Sequence, residues 1–81
     1  MFAHILELIQ QIAEDRTVPR NIRSSCEECI KILQSEQENS IKINAVVSIL
    51  DEVTNDPNIP MYTRTQVWNI VSLLESLNDK R

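Results

Sequence analysis

Apolar positions recur along the chain with the period of a helix, in four separate runs. In the first, Phe2, Ile5, Leu6, Ile9, Ile12 and Ala13 fall on one stripe, with Glu7, Gln10 and Gln11 at polar positions between them. This helix is expected to end near Asp15. Pro19 cannot continue it but is tolerated in the first turn of a new helix, where its missing N–H has no intrahelical partner, and Thr17 is the expected cap. The second stripe is Ile22, Cys26, Cys29, Ile30 and Leu33. After the polar connection SEQENS (35–40), Ile43, Val46, Val47, Leu50 and Val53 form a third. It stops at TNDPNIP, which is rich in turn and cap residues. Val67, Ile70, Val71, Leu74 and Leu77 complete a fourth.

The two halves repeat at an offset of 41 positions (56 − 15 = 41). Asp15, Val18, Pro19 and Arg23 correspond to Asp56, Ile59, Pro60 and Arg64, so both turns read D-x-x-[VI]-P-x-x-x-R. The stripes register at the same offset. Phe2, Ile5, Leu6, Ile9 and Ile12 meet Ile43, Val46, Val47, Leu50 and Val53. Cys26, Cys29, Ile30 and Leu33 meet Val67, Ile70, Val71 and Leu74. A repeat of about forty residues with Asp, Pro and Arg at an interhelical turn resembles the HEAT repeat. Two units are too few for a long solenoid. The expected architecture is therefore all-α: one domain over 1–81, with hairpins over 2–36 and 41–77 closed into a compact four-helix bundle.

Composition narrows the functions open to such a bundle. The chain has 81 residues, 42% hydrophobic and 25% charged, which is ordinary for a globular protein. It contains no glycine, which excludes glycine-dependent phosphate loops and dinucleotide fingerprints. A formal net charge of −4 argues against a dedicated nucleic-acid binder. The opening MFAHILELIQQIAED lacks the basic start and unbroken apolar run of a signal peptide, and no run approaches membrane-spanning length. The expected setting is the cytoplasm, where thiols stay reduced.

The run DRTVPRNIR together with LDEVTNDPNIPMYTRTQVWNIVSLLE resembles the archaeal uncharacterised protein family 0147, and the likeness covers nearly the whole chain. The resemblance implies a small archaeal cytosolic protein whose four helices form a bromodomain-like bundle, a mirror variant of up-and-down topology. It implies no activity and transfers no catalytic residues.

Cys26 and Cys29 have the spacing of a redox dithiol or half a zinc site. Positions i and i+3 of a helix place their Cβ atoms about 5–6 Å apart, whereas a disulfide needs about 3.8 Å. A thioredoxin-like dithiol also sits at a helix N-terminus, which Cys26 does not. Zinc takes about four ligands, and the chain offers two cysteines and His4 on another helix, so only a metal-linked dimer pooling two pairs completes a site. Free cysteine packs as a small hydrophobe, and the second half puts Val67 and Ile70 in these slots. Core packing is the favoured reading of both.

Arg16, Arg20 and Arg23, with Lys31, are the candidates for contact with a phosphate backbone, as in a nucleic-acid- or ribosome-associated factor. The alternative is that Arg23 and Arg64 pair with Asp15 or Asp56 while Arg16 and Arg20 are solvated. Trp68 aligns with Glu27, an outward position, and is expected either to lie over the bundle seam or to anchor a partner or second copy. Met61, Tyr62 and Leu73 extend that candidate surface, with Arg16 and Arg20 at its rim. No Ser–His or Cys–His arrangement can be built from one histidine, and Glu27 and Glu28 point in different directions. The reading is a non-catalytic interaction module without cofactors, partnered by another protein or by itself, with no membrane role.

Overall fold

The computed structural model describes residues 2–79, and four helices make up the fold: α1 (Ala3–Ala13), α2 (Arg20–Leu33), α3 (Asn39–Thr54) and α4 (Met61–Asp79). Among the described residues there is no strand. Each helix packs against its neighbour in sequence, and α4 closes the ring against α1, while the backbones of the diagonal pairs stay more than 8 Å apart. Short connections between successive neighbours make this a four-helix bundle. Its radius of gyration is 11.8 Å, matching the roughly 12 Å expected of a well-packed chain this long.

The core is the set of stripes. Ile9, Cys26, Cys29, Val46, Leu50, Val67 and Leu74 are completely buried, and Leu6, Ile30, Val47, Val71 and Leu77 pack around them, half-buried. The 41-residue offset holds in three dimensions. Helices α2 and α4 begin at Arg20 and Met61, 41 residues apart, and every buried position from Phe2 to Leu33 has a buried counterpart between Ile43 and Leu74.

The repeated turn motif has a physical reading at each letter. Asp15 Oδ1 accepts the N–H of Thr17 at 2.9 Å, and Asp56 Oδ1 accepts that of Asn58 at 2.8 Å, so each aspartate closes its own turn. Val18 and Ile59 plug the end of the core. The Pro19 carbonyl accepts the N–H groups of Ile22 and Arg23, and the Pro60 carbonyl those of Thr63 and Arg64, which starts each second helix. Two expectations are corrected. Thr17 does not cap α2, because Pro19 is the N-cap and no side chain bonds there; a capping hydroxyl must stand directly before the helix, and Val18 and Pro19 intervene. Nor do Arg23 and Arg64 pair with the aspartate carboxylates. Arg64 Nη2 donates to the backbone carbonyl of Asp56 at 3.0 Å, and Nε of both arginines is buried without a partner.

Two buried polar residues lie outside the apolar pattern. Lys42 sits at the opposite end of the bundle, where its Nζ donates to the Leu33 carbonyl at 3.2 Å and lies 5.7 Å from the centroid of the Phe2 ring. It thereby satisfies a C-terminal carbonyl of α2 and lays its stem along apolar surface. Thr63 fills the slot of Ile22 in the second half, fully buried, and its Oγ1 has no hydrogen-bond partner. An unpartnered buried hydroxyl destabilises, whereas the isosteric methyl does not. Thr63→Val is therefore expected to stabilise the fold by about 1 kcal/mol, read from the urea midpoint at unchanged m-value.

Candidate functional site

The two turns lie at the same end of the bundle and are tied across it by a reciprocal pair of contacts. Tyr62 Oη donates to Asp15 Oδ2 at 2.9 Å, and Asn21 Nδ2 donates to Asp56 Oδ2 at 3.4 Å. Asn21 and Tyr62 are counterparts at the repeat offset, as are Asp15 and Asp56. Each second helix thus reaches with its second residue to the aspartate of the other turn. On the Tyr62 side the cluster is tighter. The Thr17 hydroxyl donates to Asp15 Oδ1 at 2.7 Å and stands 2.6 Å from Tyr62 Oη. Two hydroxyl hydrogens serve these three oxygen contacts, so two are donated at a time. The Thr17 hydroxyl first, then its N–H and the Tyr62 hydroxyl, hold the Asp15 carboxyl below its ordinary value, with the Arg23 charge adding a smaller share.

This cluster ties down the start of α4, where three of the large exposed apolar side chains gather, while another, Ile41, is exposed on α3. Met61 is 68% exposed, Tyr62 50% and Trp68 54%. Met61, Thr65, Trp68 and Ser72 recur at spacings of four, three and four, one outward stripe of the helix, and all four are exposed. From Met61 to Leu74 the single charged residue is Arg64, half-buried and bonded to the Asp56 carbonyl. The exposed acidic residues of α3 include Glu52, which lines a depression beside Asn21, Ile22 and Ser25 of α2. Trp68 therefore does not fold over the seam.

Not every candidate joins this surface. Leu73 is half-buried against the core; five residues beyond Trp68, it points roughly 140° away around the helix. Arg16 is brought near by the Thr17–Tyr62 contact, whereas Arg20 is carried on α2, which lies diagonally across the ring from α4. The four basic candidates do not form a stripe either. Arg16, Arg20 and Lys31 are exposed and Arg23 is half-buried, but Lys31 lies about 16 Å along α2 from Arg20, with Glu27 and Glu28 between.

Cys26 and Cys29 are free thiols buried in the core. Burial first, then Glu27, pushes the Cys26 thiol up to about 11. Burial, the neighbouring Cys26 and Glu28 push Cys29 up to about 12. Such thiols are poor nucleophiles and poor metal ligands, because both roles need the thiolate. Both sulfurs are enclosed by the folded bundle, which speaks against the metal-linked dimer. Among the described residues no three His, Cys, Asp or Glu side chains converge as metal ligands. His4 is exposed on α1. The described residues line shallow depressions. One of about 350 Å³ is lined by Gln10, Glu27, Ile30 and Lys31, and one of about 140 Å³ by Asn21, Ile22, Ser25, Glu52, Val53 and Asp56. Neither contains His4 or a cysteine. Among the described residues no helix is long and apolar enough to cross a membrane.

Residues 1–77 match the profile of an uncharacterised protein family, UPF0147. A UPF0147 protein of Methanothermobacter thermautotrophicus is 48% identical over 79 residues, covering 96% of this chain and 78% of the relative. The crystal structure of a UPF0147 protein from Thermoplasma acidophilum superposes with a TM-score of 0.88 at 36% identity, covering 94% of this chain and 91% of that one. A second crystal structure, of a protein of unknown function, gives a TM-score of 0.85 at 42% identity over 90% of this chain and 84% of its own.

Proposed function

The chain belongs to the uncharacterised protein family UPF0147, and from that footing we propose that it is a non-catalytic protein–protein interaction module of the cytoplasm. The observation that carries the reading is the outward stripe of α4. It puts a tryptophan, a tyrosine and a methionine in water on one helix, within a stretch whose only charge is withdrawn into a backbone hydrogen bond. Aromatic and methionine side chains with few charges are the composition of an interface centre. Two HEAT-like hairpins locked together at their turns give that stripe a rigid base. Rigidity lowers the entropic cost of binding.

A buried thiol pair and a single exposed histidine offer no activated nucleophile, which supports a non-catalytic role. The test is affinity capture from native extract with the wild-type chain and with Trp68→Ala, each with and without nuclease. Loss of a captured protein in Trp68→Ala, unchanged by nuclease, is the expected result. Identical captures by both chains would mean that the stripe is not the binding surface. Captures abolished by nuclease would move the role to the basic residues.

A further inference from the structure

We infer that the α4 stripe takes a second copy of this chain, packed antiparallel about a two-fold axis at Trp68. The inference rests on the interaction reading above and names the partner. Two copies each carrying a formal charge of −4 repel wherever acidic residues oppose one another. They can approach along a face with little like charge, and Met61 to Leu74 is such a face: Met61, Tyr62, Thr65, Trp68, Asn69 and Ser72 are exposed and uncharged, and the Asp15 carboxylate bonded to Tyr62 stands at its edge. An isologous two-fold contact needs a patch complementary to itself, and an uncharged aromatic stripe meets that condition.

Charge also selects the direction. Past the neutral stretch comes Glu75. A parallel arrangement sets Glu75 against Glu75. An antiparallel one centred on Trp68 sets Glu75 of each copy opposite Met61 of the other, within one turn of Arg64. The two Glu75 residues then stand about 20 Å apart along the helices, well beyond the screening length of about 8 Å at physiological salt.

The area fits a reversible dimer. At the observed exposures, Met61, Tyr62 and Trp68 leave roughly 350 Å² in water per copy. With the polar side chains between them, two copies bury about 1,000 Å², the low end for a specific contact. Association is therefore expected in the micromolar range, tightening as salt screens the net repulsion, the reverse of a contact made by ion pairs.

Sedimentation velocity of the purified chain from about 10 μM to 1 mM, at low and high salt, tests this. Wild type should move from the mass of one 9.4 kDa chain towards twice that as concentration rises. Trp68→Glu, at an exposed position and with helicity checked by circular dichroism, should stay at one chain throughout. Ser24→Ala, charge-neutral and at an exposed position of α2, should behave as wild type. A wild-type chain that remains single at all concentrations overturns the second copy; the capture experiment then decides the interaction reading on its own. A Trp68→Glu chain that still pairs also overturns it, because self-association would then use another face.

Discussion

Leu50→Ala is expected to lower the unfolding free energy by about 2–5 kcal/mol, and Ile9→Ala by a similar amount. Leu50 and Ile9 are completely buried and occupy the same slot of the two hairpins. Removing either side chain loses its transfer free energy and leaves a cavity among residues held by the rest of the ring. A chain of this size has a total stability of only about 4–12 kcal/mol, so either variant should be partly unfolded in modest urea. Ser48→Ala, at an exposed position of α3, should stay within about 0.5 kcal/mol of wild type. Urea unfolding followed by circular dichroism reads all three. A small loss at Leu50 with a large one at Ile9 would mean that the two hairpins do not share one core.

The second large effect is at the thiols. With Cys26 raised to about 11, about one thiol in a thousand is ionised at pH 8, and neither sulfur is exposed. A disulfide reagent is therefore expected to react with the folded chain at least a thousandfold more slowly than with the chain in urea, at both cysteines together, through opening of the bundle. Stability follows with a definite sign. A thiol whose pKa is raised on folding contributes its full share below its unfolded value near 9, and that share is lost as pH rises towards 11 and 12. Wild type should lose stability through that window more steeply than a Cys26→Ala, Cys29→Ala chain compared with its own value at pH 7. Rapid labelling of the folded protein, or parallel alkaline curves for the two chains, would contradict this burial.

Both effects trace to features readable in the sequence. Four stripes at helical spacing mark the core, and the 41-residue offset pairs Cys26 and Cys29 with Val67 and Ile70. The offset also held a signal that the stripe pattern hides. Thr63 corresponds to Ile22, so its burial is legible from the repeat, although a threonine breaks the apolar run. Lys42 was not legible. Its burial depends on the Leu33 carbonyl and the Phe2 ring, which only the closing of the ring brings together. The same holds for the cross-ties at the turns. The motif identified Asp15 and Asp56 as turn residues, but the bond from Tyr62 to Asp15 spans 47 positions and exists because α4 lies against α1. Charge alone suggests carboxylate partners for Arg23 and Arg64, whereas Arg64 binds the backbone carbonyl of Asp56.

The candidate surface was legible in part. Trp68, Met61 and Tyr62 stood out by residue type, and Trp68 by its alignment with an outward position. Leu73 did not belong, because its angle on the helix turns it towards the core. Arg20 did not belong either, because α2 and α4 are diagonal in the ring.

The proposed binding surface is the Met61–Ser72 stripe of α4. The most direct test is photocrosslinking in native extract, with a photoreactive amino acid substituted at Thr65, between Met61 and Trp68, and in a separate chain at Glu27 on α2. The account predicts a discrete polypeptide adduct from position 65 and none from position 27. No adduct from position 65, or the same adducts from both, would contradict it.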